Sequence, residues 1–454
     1  MRSLLPPGPA APALVQTWRW MSRPPLGLLD EHAHRYGDVF RLELLGPRYR
    51  EEHGRSPLAR RTVVVFSRPQ HVQEIFARGD DGLPAGRARE FLEWFMGPRS
   101  IMLLDGAAHH QERRELSPLF APDRLQRFAS TMTAAAERAL ARWPAHGSVD
   151  LHGLLDLALE ELNLALAVGT AAQTSDHLLD LTRRARRSFA APLHFLPLLR
   201  ADVGPWSPGG RLAAFRRGLY EVVREWACLP GSPGRESESC LLGGLVAPLR
   251  EGAPPSDAEL TGVVERIITL LGGMDNTSAA VAWACRHILR DPAVSARVRE
   301  EVAGTERSSP PGPGSYLQAV LLESLRLTPP VPALVRRARG PVGLGGFELP
   351  SDTFVLASLY LLHRREELFP EPTAFKPERF LAGMPRGGYA PFGSGSRSCL
   401  GATLALLQMR VLLSAIWRRF ELTPEQPVSL AESRRNVTVV PAGPLPVTLR
   451  ARSL

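Results

Sequence analysis

The strongest chemical signal lies near the C-terminus, in Phe392-Gly393-Ser394-Gly395-Ser396-Arg397-Ser398-Cys399-Leu400-Gly401. A glycine-rich loop here delivers Cys399 onto the start of a helical stretch, Gly401–Phe420. Glycines let backbone N–H groups approach the sulfur closely, and a helix N-terminus favours a thiolate. Such a thiolate is either a nucleophile or a metal ligand. A nucleophile needs a histidine base beside it, and the loop carries Arg397 instead. An arginine two residues before a ligating sulfur suits a bound anion. Upstream, Glu323-Ser324-Leu325-Arg326 puts an acid and a base on one helix face, where they can pair. In Gly106-Ala107-Ala108-His109-His110-Gln111-Glu112-Arg113-Arg114, His109 and Arg113 stand four apart and aim in one direction, while His110 and Arg114 fall on another face. Gly272 and Gly273 interrupt a helical stretch, Asp257–Arg290, that is apolar on nearly every side and so must thread the core. Each glycine costs about 1 kcal/mol relative to alanine. Either something large needs room beside the backbone there, or the helix bends.

The cysteine segment resembles the haem-binding loop of the cytochrome P-450 family, FGxGxRxCxG, with a match at every fixed position. The resemblance implies that fold: a single domain over 1–454, mainly α with a small β subdomain. It also implies haem b (iron protoporphyrin IX), with Cys399 as the thiolate ligand of the metal and Phe392, Gly393 and Gly401 around it. Glu323 and Arg326 resemble the family's ExxR, completed as a buried triad by Arg379 of Lys376-Pro377-Glu378-Arg379-Phe380. His109, Arg113, Arg336 and Arg397 match the positions that bind the haem propionates, by charge-assisted hydrogen bonds. Gly272-Gly273-Met274-Asp275-Asn276-Thr277 resembles the motif [A/G]Gx[D/E]T that crosses the distal haem face. There Gly272 and Gly273 would leave space for dioxygen, and Asp275 with its neighbour would manage proton delivery. The chain departs from the pattern at the threonine position, Asn276. Thr277 lies one residue on, about 100° around the helix, and cannot stand in for it. A carboxamide donates and accepts hydrogen bonds and so can hold a water, but it relays no proton by hydroxyl rotation. Altered proton delivery or substrate orientation follows, with the fold intact.

The implied activity is haem-thiolate monooxygenation: one oxygen atom of O2 enters a C–H bond of a small molecule and the other leaves as water. By family analogy the pocket is lined by Phe91, Leu92, Trp94 and Phe95, by the stretch Ser188–Pro205, and by Met274, Leu334, Val335 and Val437. That lining is apolar and aromatic, which favours a lipophilic terpenoid or steroid. No flavin or iron–sulfur signature accompanies these motifs, so electrons would come from an external ferredoxin and its NAD(P)H-dependent ferredoxin reductase. Arg410, Arg418 and Arg419 would steer such an acidic partner. Two other readings stay open. A haem-thiolate protein that binds ligands or senses gas without turnover is kept alive by Asn276. A peroxide-driven peroxygenase generally carries an arginine near the distal site, and none lies within Leu270–Ser278.

The elements that must position these residues come from the rest of the chain. At 454 residues, 44% hydrophobic and 22% charged, the composition excludes a disordered chain, a collagen-like repeat and a small disulfide scaffold. The four cysteines form no CxxC pair, which indicates neither a zinc site nor a disulfide framework and suits a reducing compartment. The net charge of +9 is carried by arginine, with Lys376 the single lysine. Acids are interspersed, so no nucleic-acid surface is implied. The run Arg183-Arg184-Ala185-Arg186-Arg187 reads as a solvated helix face. No 18-residue apolar run occurs, and prolines break the N-terminal segment 1–20 where a signal peptide needs a continuous apolar core. A soluble, cytoplasmic monomer without membrane contact is expected. Extended signals at Tyr36–Leu45, Arg61–Phe66, Val335–Ala338, Phe347–Leu349, Thr353–Ala357, Val437–Val440 and Val447–Leu449 suggest one β region near 36–66, 335–357 and 437–449. Helical periodicity dominates from Gln70 onward, interrupted by loops at Leu229–Ser239 and Arg307–Ser315.

Overall fold

The computed structural model describes residues 5–47, 58–80, 82–169, 172–189, 200–228, 239–250, 254–305, 310–384 and 387–452. Its axis is the helix Asp257–Arg290, 34 residues long. A capping box starts it: Ser256 Oγ accepts from the Glu259 N–H, and the Glu259 carboxylate accepts from the Ser256 N–H at 2.8 Å. The helix runs unbroken through Gly272-Gly273. Its apolar residues join one core with those of the helices Pro122–Ala141, Leu151–Val168, Pro208–Cys228 and Ala402–Arg419. Toward its C-terminus, Trp283 has no exposed surface and donates to the Val439 carbonyl at 3.0 Å. Arg286 donates to the carbonyls of Ser429, Gly443 and Pro444. These bonds fasten the C-terminal strands to the helix.

The strands are β1 (Val39–Pro47), β2 (Leu58–Phe66), β3 (His146–Asp150), β4 (Ala333–Arg337), β5 (Val342–Leu344), β6 (Phe347–Leu349), β7 (Phe354–Ser358), β8 (Phe420–Pro424), β9 (Glu432–Arg435), β10 (Thr438–Pro441) and β11 (Pro446–Ala451). They do not form the one β region expected. The first sheet, in the order β1-β2-β7-β4, unites the segments near 36–66 and 335–357. Only its β2–β7 pair is parallel. The C-terminal strands go elsewhere: β11 sits between β3 and β8, and β9 pairs only with β10. The reason lies in packing. Trp283 fastens β10 to the long helix, and Val439 packs in one cluster with Phe40, Val63 and Phe354 of the first sheet, so β10 meets that sheet through side chains and not by strand pairing. β3 is almost wholly exposed, so it lacks the apolar alternation that reveals a strand.

Two helices that the periodicity did not signal precede β1. Ala13–Ser22 and Pro25–Tyr36 are helices. Pro12 and Pro24 occupy N-cap positions and Pro25 opens a helix, where a fixed φ favours helix starts rather than breaking them. Tyr36 therefore ends a helix, and Gly37 with φ 87° turns the chain into β1. Arg183 and Arg184 pair with Glu160 and Asp180, in keeping with a solvated face. Residues 229–238 and 307–309 of the expected loops, and 190–199 of the expected pocket stretch, lie outside the described residues. Among the described residues no helix is long and apolar enough to cross a membrane.

Candidate active site

Cys399 stands two residues before the N-cap of the helix Ala402–Arg419. Gly393 and Gly395 both adopt φ 70°, the left-handed conformation that glycine enters without strain. The loop then folds back so that the Cys399 N–H donates to the Phe392 carbonyl at 2.8 Å. Gly393 has a second reason to lack a side chain: a Cβ there would lie 3.0 Å from Leu334 Cδ1. Cys399 is exposed by surface area, yet protein surrounds it closely enough that burial pushes its thiol up, against the Gly401 N–H and Arg113. A surface both reachable and enclosed marks the wall of a hollow. Arg113 braces the loop, donating to Ser398 O at 2.7 Å and Ser398 Oγ at 3.1 Å.

A cationic wall adjoins the loop. Arg397 donates to Asp80 at 2.9 and 2.6 Å, to Asp105 at 2.6 Å and to the Leu104 carbonyl at 2.8 Å. It is held by two carboxylates rather than left free, which its place in the motif did not reveal. Asp80 also accepts from Gly106 N–H, and Asp105 from the Gly86 and Arg87 N–H groups. Burial alone would raise the Asp80 pKa, but Arg397 and Gly106 outweigh it and hold the carboxyl below its usual range. Arg336, on β4, is 1% exposed with Nε unpartnered; burial, then repulsion from Arg397, pushes it down to about 10. His109 is buried with Nδ1 unpartnered, and burial followed by Arg397 lowers its pKa to about 4. His110 and Arg114 are exposed.

Arg89 belongs to the same wall and was not singled out in the sequence. It lies in the 3-10 turn Arg87–Leu92. Its guanidinium has no hydrogen-bond or ion-pair partner among the described residues. Burial, then repulsion from Arg336 and Arg397, pushes it down to about 9. Its one sequence signal is a cation within the aromatic segment that continues Phe91-Leu92-Glu93-Trp94-Phe95.

On the long helix, Gly273 is exposed although the helix threads the core, and a Cβ there would meet nothing within 4 Å. A Cβ at Gly272 would meet Met96 Cε at 3.3 Å and Phe95 Cε1 at 3.5 Å. One turn on, the β9–β10 hairpin reaches the helix twice. Arg435 pairs with Asp275 at 3.1 Å, and Thr438 Oγ1 donates to Asn276 Oδ1 at 2.8 Å.

Comparison with known proteins agrees with this geometry. The sequence profile described as Cytochrome P450 matches residues 248–448. The Mycobacterium tuberculosis protein provisionally named cytochrome P450 135A1 is 30% identical over 96% of this chain and 93% of its own. The Mycobacterium bovis protein provisionally named cytochrome P450 135B1 is 29% identical over 98% of this chain and 92% of its own. The chain belongs to the cytochrome P450 family. The solved structure of retinoic acid-bound cyanobacterial CYP120A1 has the same fold, with a TM-score of 0.80 over 99% of this chain and 100% of that one at 22% identity.

P450 proteins hold haem b through a cysteine thiolate, and the residues present fit that group. The sulfur of Cys399 is reachable, the Gly273 face is open, and Arg89, Arg336 and His109 offer donors without protein partners. A dianionic group matches such a set.

Below the cysteine loop, Glu323, Arg326 and Arg379 meet. Arg326 donates to Glu323 at 2.7 and 2.9 Å, and Arg379 at 3.0 Å. Arg326 also bonds the carbonyls of His363, Pro372 and Ala374, so the pair pins the chain that leads to the loop.

The other sequence candidates scatter. Phe95 reaches Gly272, and Trp94 donates to the Arg200 carbonyl at 3.3 Å. Leu334 faces Gly393. Phe91 and Val335 instead pack against the cluster around Trp283 and Phe40, Met274 is buried in the main core, and Leu92 is half-buried. Val437 is exposed at the β9–β10 turn. Arg410 does not present a charge to a partner: it is buried and donates to Gln318 at 2.6 Å. A helix packed on both sides leaves it no outward face. Arg418 bonds Thr305 Oγ1 at 3.1 Å, and Arg419 pairs with Glu137 at 3.5 Å.

Proposed function

We propose that this P450 is a monooxygenase that inserts one oxygen atom of O2 into a C–H bond of a lipophilic small molecule, a terpenoid or steroid. Electrons come from a ferredoxin and its NAD(P)H-dependent reductase. The observation that carries the reading is Cys399 on a glycine-shaped loop, next to a cationic wall in which Arg89 has no partner among the described residues and Arg336 keeps an unpartnered Nε. When bound, the haem supplies oxygen activation, with the thiolate favouring O–O cleavage. The polypeptide does the rest. Cys399 would supply the sulfur ligand, and Arg113 and the Gly401 N–H hold its loop. His109, Arg89 and Arg336 bind the propionates, with Arg397 fixed behind them by Asp80 and Asp105. Gly272 and Gly273 keep the distal face clear, and Phe95 forms part of an apolar roof that excludes water. Asp275 passes protons inward, and Asn276 holds the water that receives them. The retinoic acid of CYP120A1, an isoprenoid ligand in the same fold, is in keeping with an apolar substrate.

The test has two parts. The reduced, haem-loaded protein should give the red-shifted carbon monoxide spectrum of a thiolate ligand, and Cys399→Ser should abolish it. With ferredoxin, reductase, NADPH and a lipophilic library, a product should carry one atom from labelled O2. Spectral shifts on ligand binding without product across the library would favour a sensor. Equal rates with peroxide alone would favour a peroxygenase.

A further inference from the structure

Asn276 stands where the family pattern has a threonine, and its carboxamide has two chemically opposite ends. One end is accounted for: Oδ1 accepts from Thr438 Oγ1 at 2.8 Å. Thr438 is 4% exposed and opens β10 immediately after the turn in which Asn436 takes φ 58°. The hairpin register sets Thr438 opposite Arg435. Opposed residues of an antiparallel pair project to one face, and these two reach consecutive helix residues, Asn276 and Asp275. The strand itself cannot drift. The Val439 N–H donates to the Pro330 carbonyl at 2.8 Å, and Trp283 of the same long helix donates to the Val439 carbonyl at 3.0 Å.

The other end of the amide is Nδ2, which has no partner among the described residues. Asn276 lies three residues after Gly273, on the same helix face, and Gly273 has no atom within 4 Å of its would-be Cβ. We propose that Thr438 is a positioning residue. Its hydroxyl holds the Asn276 oxygen toward the hairpin and so turns the NH2 group toward the open space beside Gly273. The chain thereby presents a fixed hydrogen-bond donor where a threonine would present a hydroxyl that both donates and accepts. A donor of this kind steadies an acceptor ligand but takes up no proton, so proton entry falls to Asp275, itself steered by Arg435. The inference rests on the haem reading above, which places the Gly273 face on the distal side.

Thr438→Val removes the hydroxyl and keeps the shape in a strand, where valine is favoured. Thr438→Ser restores the hydroxyl. The probe is carbon monoxide on the reduced, haem-loaded protein, read by the infrared stretch of the bound ligand, which responds to a neighbouring donor. One net hydrogen bond favours the carboxamide docked on Thr438 over one swung free about fivefold. The native protein and Thr438→Ser should therefore show one dominant band, and Thr438→Val two bands of comparable area. In an Asn276→Ala background the Thr438→Val change should add nothing. With reductase and ferredoxin present, the share of NADPH electrons released as peroxide should rise in Thr438→Val alone. A native thiolate-type spectrum whose band is unmoved by Thr438→Val would overturn the role of Thr438. Absence of that spectrum in the native protein would overturn the haem reading instead.

Discussion

Glu323→Gln tests the buried triad most directly. The carboxylate accepts four hydrogen bonds: Oε1 takes Arg326 Nη2 at 2.9 Å, Arg379 Nε at 3.0 Å and the Lys376 N–H at 2.8 Å, and Oε2 takes Arg326 Nε at 2.7 Å. Both Glu323 and Arg326 have fully buried side chains. A glutamine does best by keeping its oxygen at the Oε1 position, which saves three bonds and sets its NH2 against the Arg326 Nε–H. One charge-assisted bond, about 1.5–3 kcal/mol, becomes a donor–donor clash. Two guanidiniums also lose their counter-charge, and the total reaches about 3–5 kcal/mol. That is a large share of the 5–15 kcal/mol that typically holds a protein folded. Urea unfolding of the haem-loaded protein, followed by circular dichroism, reads it. Arg379→Gln should cost less, since Arg379 keeps 13% side-chain exposure and Glu323 retains its other donors. Equal stability of Glu323→Gln and the native protein, or a larger loss in Arg379→Gln, would refute the reasoning.

His287 and His363 are buried neutral, with pKa values lowered to about 3, first by burial and then by nearby arginines. Their unfolded values lie near 6.5, so the unfolded chain binds protons first as pH falls, and stability present above about pH 6.5 is lost toward pH 3. Each contributes about 1.4 kcal/mol per pH unit in that window; urea titrations at pH 7 and 5 should show it, His287→Gln should shallow the slope, and a flat profile would count against it. Gly273→Ala should stabilise the fold by up to about 1 kcal/mol through helix propensity, because its Cβ meets nothing. Gly273→Ile should abolish ligand-induced spectral shifts while leaving the melting temperature near native; unchanged ligand affinity would show that the glycine is not there for room. Arg89→Gln should speed haem transfer to apomyoglobin by about ten- to a hundredfold, the worth of one charge-assisted bond, while leaving the thiolate spectrum intact; native transfer rates would remove Arg89 from the propionate wall.

The sequence made local chemistry legible and long-range partnership illegible. Cys399, Glu323 with Arg326, and the glycine pair are signalled by residue types within a few positions of one another. Spacing on one helix therefore sufficed to read them. The carboxylates that hold Arg397 were not legible, because Asp80 and Asp105 lie about 300 residues away and carry no motif. Arg89 was passed over because a lone arginine in an aromatic stretch is ordinary until the tertiary fold sets Arg336 beside it. Arg410 was misread for the opposite reason: helical position alone does not tell a packed face from a free one. The helices near the N-terminus were hidden by prolines that serve as starts, and β3 by its exposure.

The arrangement of charge around the hollow explains why these long-range partners are needed. Arg89, Arg113, Arg336 and Arg397 gather near Asp80 and Asp105, a surplus of two positive charges in a setting where burial already penalises the charged forms. Left alone, such a set would repel itself. Asp80 and Asp105 relieve the strain locally by taking Arg397, and backbone N–H groups hold those carboxylates in turn. For Arg89 and Arg336 burial, then repulsion from the neighbouring guanidiniums, outweighs the attraction of Asp80 and Asp105, and their pKa values are pushed down to about 9 and about 10. Both still carry charge at neutral pH. A dianion entering this wall completes its neutrality, so binding should raise the folding stability as well as fill the site. Arg397, already neutralised, then acts as the rigid backing that keeps the other two guanidiniums in place.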